Sequence, residues 1–259
     1  MINLMKADLY RIFRGKGFYI AFSVIIAWCA ITVFVFRAAG VTIGLQEYQP
    51  AADYMTGIIA AWISLQNVAG MLYILFMVMF VMVVMSGFSS GAIKNELTTG
   101  IGRGKFYLSK FILSVFLCLF LQLFNFGVTV LLALPMDGMG EWGGSITYLV
   151  QSFALQSLIM VGLVSVGIFI CFVTQKTAAT IGLFLAFTFV PALVVSLMMV
   201  AFENAINFLN YDLTSQLSFF ENISLLEDVQ IIRGVIIGLI YIIVPTIAGI
   251  AIFVKGEVK

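Results

Sequence analysis

The sequence predicts an all-α membrane protein: six transmembrane helices, an N-terminal interfacial amphipathic helix, and a short cytoplasmic helix between the second and third spans. Three observations predict it. Hydrophobic residues make up 63% of the 259 positions and charged residues only 10%, against roughly 25% charge in a soluble domain. Mean hydropathy is +1.15, more apolar surface than a water-soluble core can hide, so the solvent is lipid. The apolar residues also fall in six continuous runs rather than in alternating ten-residue segments, which indicates helices and not barrel strands.

The first element is residues 2–16, INLMKADLYRIFRGK. Met5, Leu9, Ile12 and Phe13 recur at helical spacing, with Lys6, Asp8, Arg11 and Arg14 between them. That pattern reads as a helix lying in the membrane interface, its basic side toward anionic headgroups. The runs that follow are about 18–36, 68–86, 111–134, 148–173, 178–200 and 234–254, each near the 20 residues a bilayer core requires. The whole chain reads as one transmembrane domain. The first run is too long for a signal peptide and lacks a small-residue cleavage site.

Basic residues orient the spans. With the N-terminus inside, Lys6, Arg11, Arg14, Lys16, Lys94, Arg103, Lys105, Lys110, Lys176, Lys255 and Lys259 are cytoplasmic. Only Arg37 and Arg233 fall outside, both at membrane edges. Both termini are thus expected in the cytoplasm. Glu47, Asp53, Asp137, Glu141, Glu203, Asp212, Glu221, Glu227 and Asp228 gather on the other side, either to attract cations or simply to solubilise the outer loops. The outer segment 37–67 is longer than a turn needs. Segment 201–233 is also long, with apolar residues at helical spacing that predict short helices dipping into or resting on the outer leaflet.

Composition excludes several chemistries. Histidine is absent, which removes zinc-protease and rhomboid-type active sites, since both need it. Cys29, Cys118 and Cys171 lie in apolar runs without metal-ligand spacing, and read as small buried side chains. Tyr211–Asp212 has no GxGD partner for aspartyl chemistry. Nothing points to nucleic acid.

The stretch TTGIGRGKFY, residues 99–108, invites comparison with a phosphate-binding loop. The G-x-x-x-x-G-K-[ST] pattern would need glycine at 99 and a hydroxyl at 106; the chain has Thr99 and Phe106. No enzyme activity and no cofactor are therefore expected. The wider segment, 87–112, places Ser89 or Ser90 to cap a short helix over 92–98, which Gly100, Gly102 and Gly104 then end. A helix held below the membrane by two spans is a place for a soluble partner to press.

Within that segment, GAIKNELTTGIGRGKFYLSK resembles the cytoplasmic loop of type-2 ABC transporter permeases, with the form G-[TA]-I-K-N-x-L-x-x-G-x-[SG]-R-x-x-x-Y-x-S-K. Gly91, Ile93, Lys94, Asn95, Leu97, Gly100, Arg103, Tyr107, Ser109 and Lys110 match. Gly87 and Gly102 depart from the acid and the serine usual there. The resemblance implies a permease half that pairs with an identical or related second permease. It also implies that ATP and Mg are bound by separate ABC ATPase subunits. The loop is then the coupling helix. Its implied ATPase-coupling residues are Lys94, Glu96 and Arg103 for polar contacts, Ile93 and Leu97 for apolar ones, and Tyr107 and Lys110 at the entry to span three. At the family level it implies transport of an amphipathic or hydrophobic substrate, such as an antimicrobial peptide, a lipid-like molecule or a drug. Small permeases of this kind often serve lantibiotic or bacteriocin immunity and export. The alternative is a non-catalytic membrane scaffold or a binding subunit of another complex.

Polar residues inside the spans have two readings. Gln122, Asn125, Gln151 and Gln156 either line a substrate pathway or hydrogen-bond between helices. Gly87–Gly91 and Gly234–Gly238 both read GxxxG and are candidate helix-packing points, including at a dimer interface. Methionines of the second run suit a surface that repacks against greasy substrates, or lipid itself.

Overall fold

The computed structural model describes residues 2–39, 56–89, 91, 93, 96, 98, 100–137, 145–198, 208, 210–221, 223 and 226–255. These form nine helices: α1 (Ile2–Arg14), α2 (Lys16–Ala39), α3 (Thr56–Asn67), α4 (Tyr73–Ser89), α5 (Arg103–Asp137), α6 (Ser145–Thr174), α7 (Thr177–Met198), α8 (Leu213–Phe219) and α9 (Asp228–Lys255). There is no strand among the described residues. Five helices are long and apolar enough to cross a membrane, and α3 with α4 supplies a sixth if that bent pair is one span. The all-α, multi-span expectation holds.

α6 is the hub. In its apolar window 67% of the residues are buried, against 17% in both α7 and α9, so α6 fills the centre and those two face outward. Its most extensive partner is α9. Gly238 allows the approach, because a Cβ there would sit 3.2 Å from side-chain atoms of both Leu158 and Ile159. Gly234 leaves room for the Phe220 ring and lies where a Cβ would meet Gln216 Oε1 at 2.7 Å. These glycines pack within the chain, α9 against α6 and the α8 segment.

The second run differs from its expectation as one straight span from 68 to 86. A π-helical turn, Val68–Leu72, separates α3 from α4, and the two halves bend by 61°. Residues 56–67, expected in an outer loop, form the apolar helix α3, which joins α4 in one bent span if the pair crosses together. Hydropathy cannot detect the break, because the apolar run continues through it. Side-chain amides from two neighbours reach the carbonyls just before the bend. Asn125 Nδ2 donates to Ser64 O at 2.9 Å. Gln156 Nε2 donates to Leu65 O at 3.0 Å and to Leu217 O at 3.1 Å.

That last bond locates α8. Leu213 packs on Gly162, where a Cβ would stand 3.5 Å from its methyls and 3.4 Å from Tyr241. Gly162 lies about 25 Å along α6 from Ser145 at 1.5 Å per residue. The chain then runs back along α6: Leu217 meets Gln156, and the Ile223 amide donates to Ser152 Oγ at 3.2 Å. α8 packs along α6, its N-terminus capped by Asp212, which accepts from the Ser215 amide at 2.9 Å. The sequence placed Asp212 in an outer loop; it is buried at that cap.

Candidate functional site

α4 ends in a turn and α5 begins before its expected start, so the connection is short and tightly held. Gly91 has φ +66° and Gly100 has φ +85°, left-handed values that a side chain resists. Between them Ile93, Glu96 and Thr98 are helical. Gly100 is thus the breaker that the glycine run announced, but Gly102 and Gly104 are not. The Phe106 amide already bonds Gly102 O at 3.0 Å, and α5 runs unbroken from Arg103. Of the residues expected to contact a partner, Lys94 and Leu97 lie outside the described residues.

The other expected contacts turn inward. Ile93 is buried over Gly87, where a Cβ would approach its Cγ1 to 3.0 Å. That is the packing role of Gly87; Gly91 has nothing within 4 Å and serves the turn. Glu96 Oε1 accepts from Arg11 Nη2 at 2.6 Å. Lys110 is completely buried, its Nζ 2.7 Å from Asp8 Oδ2, 3.9 Å from Glu96 Oε2, and 5.1 Å from the centre of the Phe106 ring. Arg11 also lies 3.6 Å from Asp8 Oδ1. Two acids and two bases therefore compensate one another where α1, the short helical segment and α5 meet. Burial pushes the Asp8 carboxyl above its ordinary value, outweighing the opposing pull of Lys110 and Arg11.

Arg103 and Tyr107 brace the same hairpin from the other side. Arg103 Nη1 donates to Phe253 O at 3.3 Å and Val254 O at 3.2 Å, capping the last carbonyls of α9, where a positive charge suits the helix dipole. Tyr107 is fully buried, its ring 4.6 Å from Phe172 and lodged against Gly249, where a Cβ would lie 2.7 Å from Tyr107 Cζ. Tyr107 and Lys110, expected at the entry to span three, are both buried there. They fix the hairpin, and what it offers outward among the described residues is Thr98, Gly100, Gly102 and Lys105.

Asp8 and Arg11 were not singled out from the sequence, where they belonged to the polar side of α1. The buried stripe of α1 in fact runs through Leu4, Asp8 and Ile12, while Phe13 is 45% exposed. The available signal was Lys110 itself, a lysine set among Leu108, Phe111 and Ile112, which demands a buried counter-charge.

The expected pathway residues separate. Gln122, Asn125 and Gln156 are buried in the core. Gln122 Oε1 accepts from Ser157 at 3.0 Å, and Asn125 Oδ1 accepts from Cys29 Sγ at 3.2 Å. With the carbonyl contacts above, these are interhelical hydrogen bonds. Gln151 is exposed on α6 and apart from them. Cys29, Cys118 and Cys171 are free and buried. No cluster of metal-ligating side chains occurs among the described residues.

A bundle of long apolar helices, one pair of them sharply bent, with a braced hairpin between α4 and α5, fits a membrane transporter component. The chain belongs to the ABC-2 family transporter proteins, whose family pattern it matches over residues 4–192. Membership implies ABC ATPase partners in general. No curated protein matches the chain.

Proposed function

We propose that this chain is the permease subunit of an ATP-driven ABC exporter, working as a pair with a second, identical or related permease. The α4–α5 hairpin is the place where the ATPase pushes. The observation that carries this reading is the bracing of the hairpin on three sides, by α1, α5 and the end of α9. A force on its tip is delivered to those helices instead of being lost in a loose loop. In this reading ATP and Mg are bound by the ABC ATPase partner, since these 259 residues contain no P-loop pattern. ATP biases the transport cycle by being bound more tightly in one state than in the other.

In this reading the face bearing α1, the hairpin and the end of α9 is cytoplasmic, as the basic residues require. The substrate is amphipathic or hydrophobic: an antimicrobial peptide, a lipid-like molecule or a drug. Two features favour that class. The buried amides Asn125 and Gln156 are engaged with backbone carbonyls, so they do not form a hydrophilic path within one subunit. The outward faces of α7 and α9 leave a pathway between subunits or along lipid. A role in bacteriocin or lantibiotic immunity fits this class.

Co-expression with a candidate ATPase from a neighbouring reading frame tests the proposal. Capture of the wild-type chain retains the ATPase, and Thr98→Glu with Lys105→Glu, at two exposed positions of the hairpin tip, releases it. Retention by a folded, membrane-inserted double variant refutes the assignment. The same capture also decides against the scaffold alternative, which has no ATPase to retain.

A further inference from the structure

The face opposite α1 carries a feature that neither the hairpin nor the family pattern explains. It lies in α8 and α9, beyond the residues 4–192 that match the family. Arg233 stands on α9 with its guanidinium 5.7 Å from the centre of the Tyr211 ring. Among the described residues no carboxylate lies within salt-bridge distance of it and no protein acceptor takes its N–H groups. Beside it is a small cleft lined by the apolar Phe219, Phe220 and Leu226 together with the polar Asn210, Gln216, Gln230 and Arg233. Gln230 Oε1 is occupied, accepting from the Glu227 amide at 3.1 Å. What Gln230 has left to offer is its NH2 group. The edge therefore presents donors, one of them fully charged, above an aromatic and aliphatic wall.

Depth identifies what such an edge would meet. α9 has 28 residues, so it is about 42 Å long, matching a bilayer with its headgroups. Arg233 sits about 7 Å along the helix from Asp228. That is the boundary between hydrocarbon and headgroups, the level of lipid phosphates. A guanidinium binds phosphate oxygens in pairs, and burying its stem against apolar surface while its head reaches outward is its usual habit there. Glu227 and Asp228 lie at the start of α9, further toward water, which disfavours a purely anionic headgroup and favours one with an outer ammonium.

We propose that this cleft is a phospholipid site: the phosphodiester is held by Arg233 and Gln230, and an acyl chain lies along Phe219 and Leu226. The site is independent of the ATPase reading, and occupancy would tie α8 to α9 through a lipid.

The purified full-length chain in lipid-free detergent is titrated with phosphatidylethanolamine, with diacylglycerol of the same tails, and with soluble glycerophosphoethanolamine. Melting midpoint and native mass spectrometry are read together. The expected result is one retained phosphatidylethanolamine per chain and a midpoint raised by about 3 °C or more. Diacylglycerol and the soluble headgroup give neither. Arg233→Gln loses at least about tenfold in affinity while its lipid-free midpoint stays near wild type. Gln230→Leu, at an exposed position, weakens binding too and serves if Arg233→Gln fails to fold. An equal shift with diacylglycerol, or binding undiminished in the variants, overturns the proposal. An equal shift with soluble headgroup alone replaces the lipid by a free phosphate ester and overturns it as well.

Discussion

Lys110→Met separates a buried, paired lysine from a decorative one. The side chain is fully buried and its partner Asp8 is 4% exposed, at 2.7 Å. Removing Lys110 takes from Asp8 its closest counter-charge and leaves it Arg11, which is itself 42% exposed and 3.6 Å away. Breaking a buried pair from one side costs about 3–5 kcal/mol. Asp8 can limit that cost by taking a proton. For a carboxyl with the ordinary value of 3.8, protonation at pH 7.5 costs roughly 5 kcal/mol at 1.36 kcal/mol per unit. Burial already holds Asp8 above that value, which lowers the cost of the proton, so the lower end of the 3–5 kcal/mol range, about 3 kcal/mol, is expected. The sign with pH follows: at pH 5.5 proton uptake is about 2.7 kcal/mol cheaper than at pH 7.5, so the defect is smaller there. Asp8→Leu with Lys110→Met removes both charges and returns to within about 1 kcal/mol of wild type. Reversible unfolding in mixed micelles at the two pH values measures all four species of the cycle. The reasoning is refuted if Lys110→Met costs under about 1 kcal/mol at pH 7.5, if its cost ignores pH, or if the double variant is no better than the single.

Three further outcomes follow from other parts of the fold. Gly249→Ala forces a Cβ into the Tyr107 ring and costs about 1–3 kcal/mol. Adding Tyr107→Phe recovers part of it, since the hydroxyl is buried without a partner among the described residues; unfolding of the pair checks this. Gln156→Leu leaves the Leu65 and Leu217 carbonyls without their side-chain donor. It should cost about 1–2 kcal/mol and raise hydrogen exchange around α8 more than in α6. Glu221, between α8 and α9, has its carboxyl pushed up to about 7 by burial. Folding therefore favours its protonated form, and that stabilisation is lost as pH rises from about 4.5 toward and through 7. Glu221→Gln flattens the melting profile over this window and is the more stable form at pH 8, by up to about 3 kcal/mol.

What could be read from the sequence was whatever depends on composition over twenty residues. The spans α2, α5, α6, α7 and α9 follow from runs that only lipid can solvate, and hydropathy finds such runs regardless of packing. The bend at Val68–Leu72 escaped because Val68, Ala69, Met71 and Leu72 are as apolar as the helix on either side. Its trace was indirect: amides at Asn125 and Gln156, which the bent pair engages at Ser64 and Leu65. The start of α5 was misplaced because Gly102 and Gly104 resemble breakers, whereas tertiary contacts of Phe106, Tyr107 and Arg103 pull that turn into the helix. The site was misread for a related reason. Charged residues near a membrane edge are ordinarily solvated, so Asp8, Glu96 and Lys110 looked like surface. Only the three-dimensional meeting of α1, the hairpin and α5 pairs them.

The account stands most directly on whether the hairpin tip touches the ATPase. Cys29, Cys118 and Cys171 are buried, so Thr98→Cys supplies an exposed thiol that can be addressed selectively in membranes containing both subunits. A thiol-to-amine cross-linker at residue 98 should join the chain to the ATPase, with Phe208→Cys on the opposite face giving no such product. A Thr98→Cys thiol that never cross-links to the ATPase, yet reacts with a membrane-impermeant reagent added outside intact cells, contradicts it.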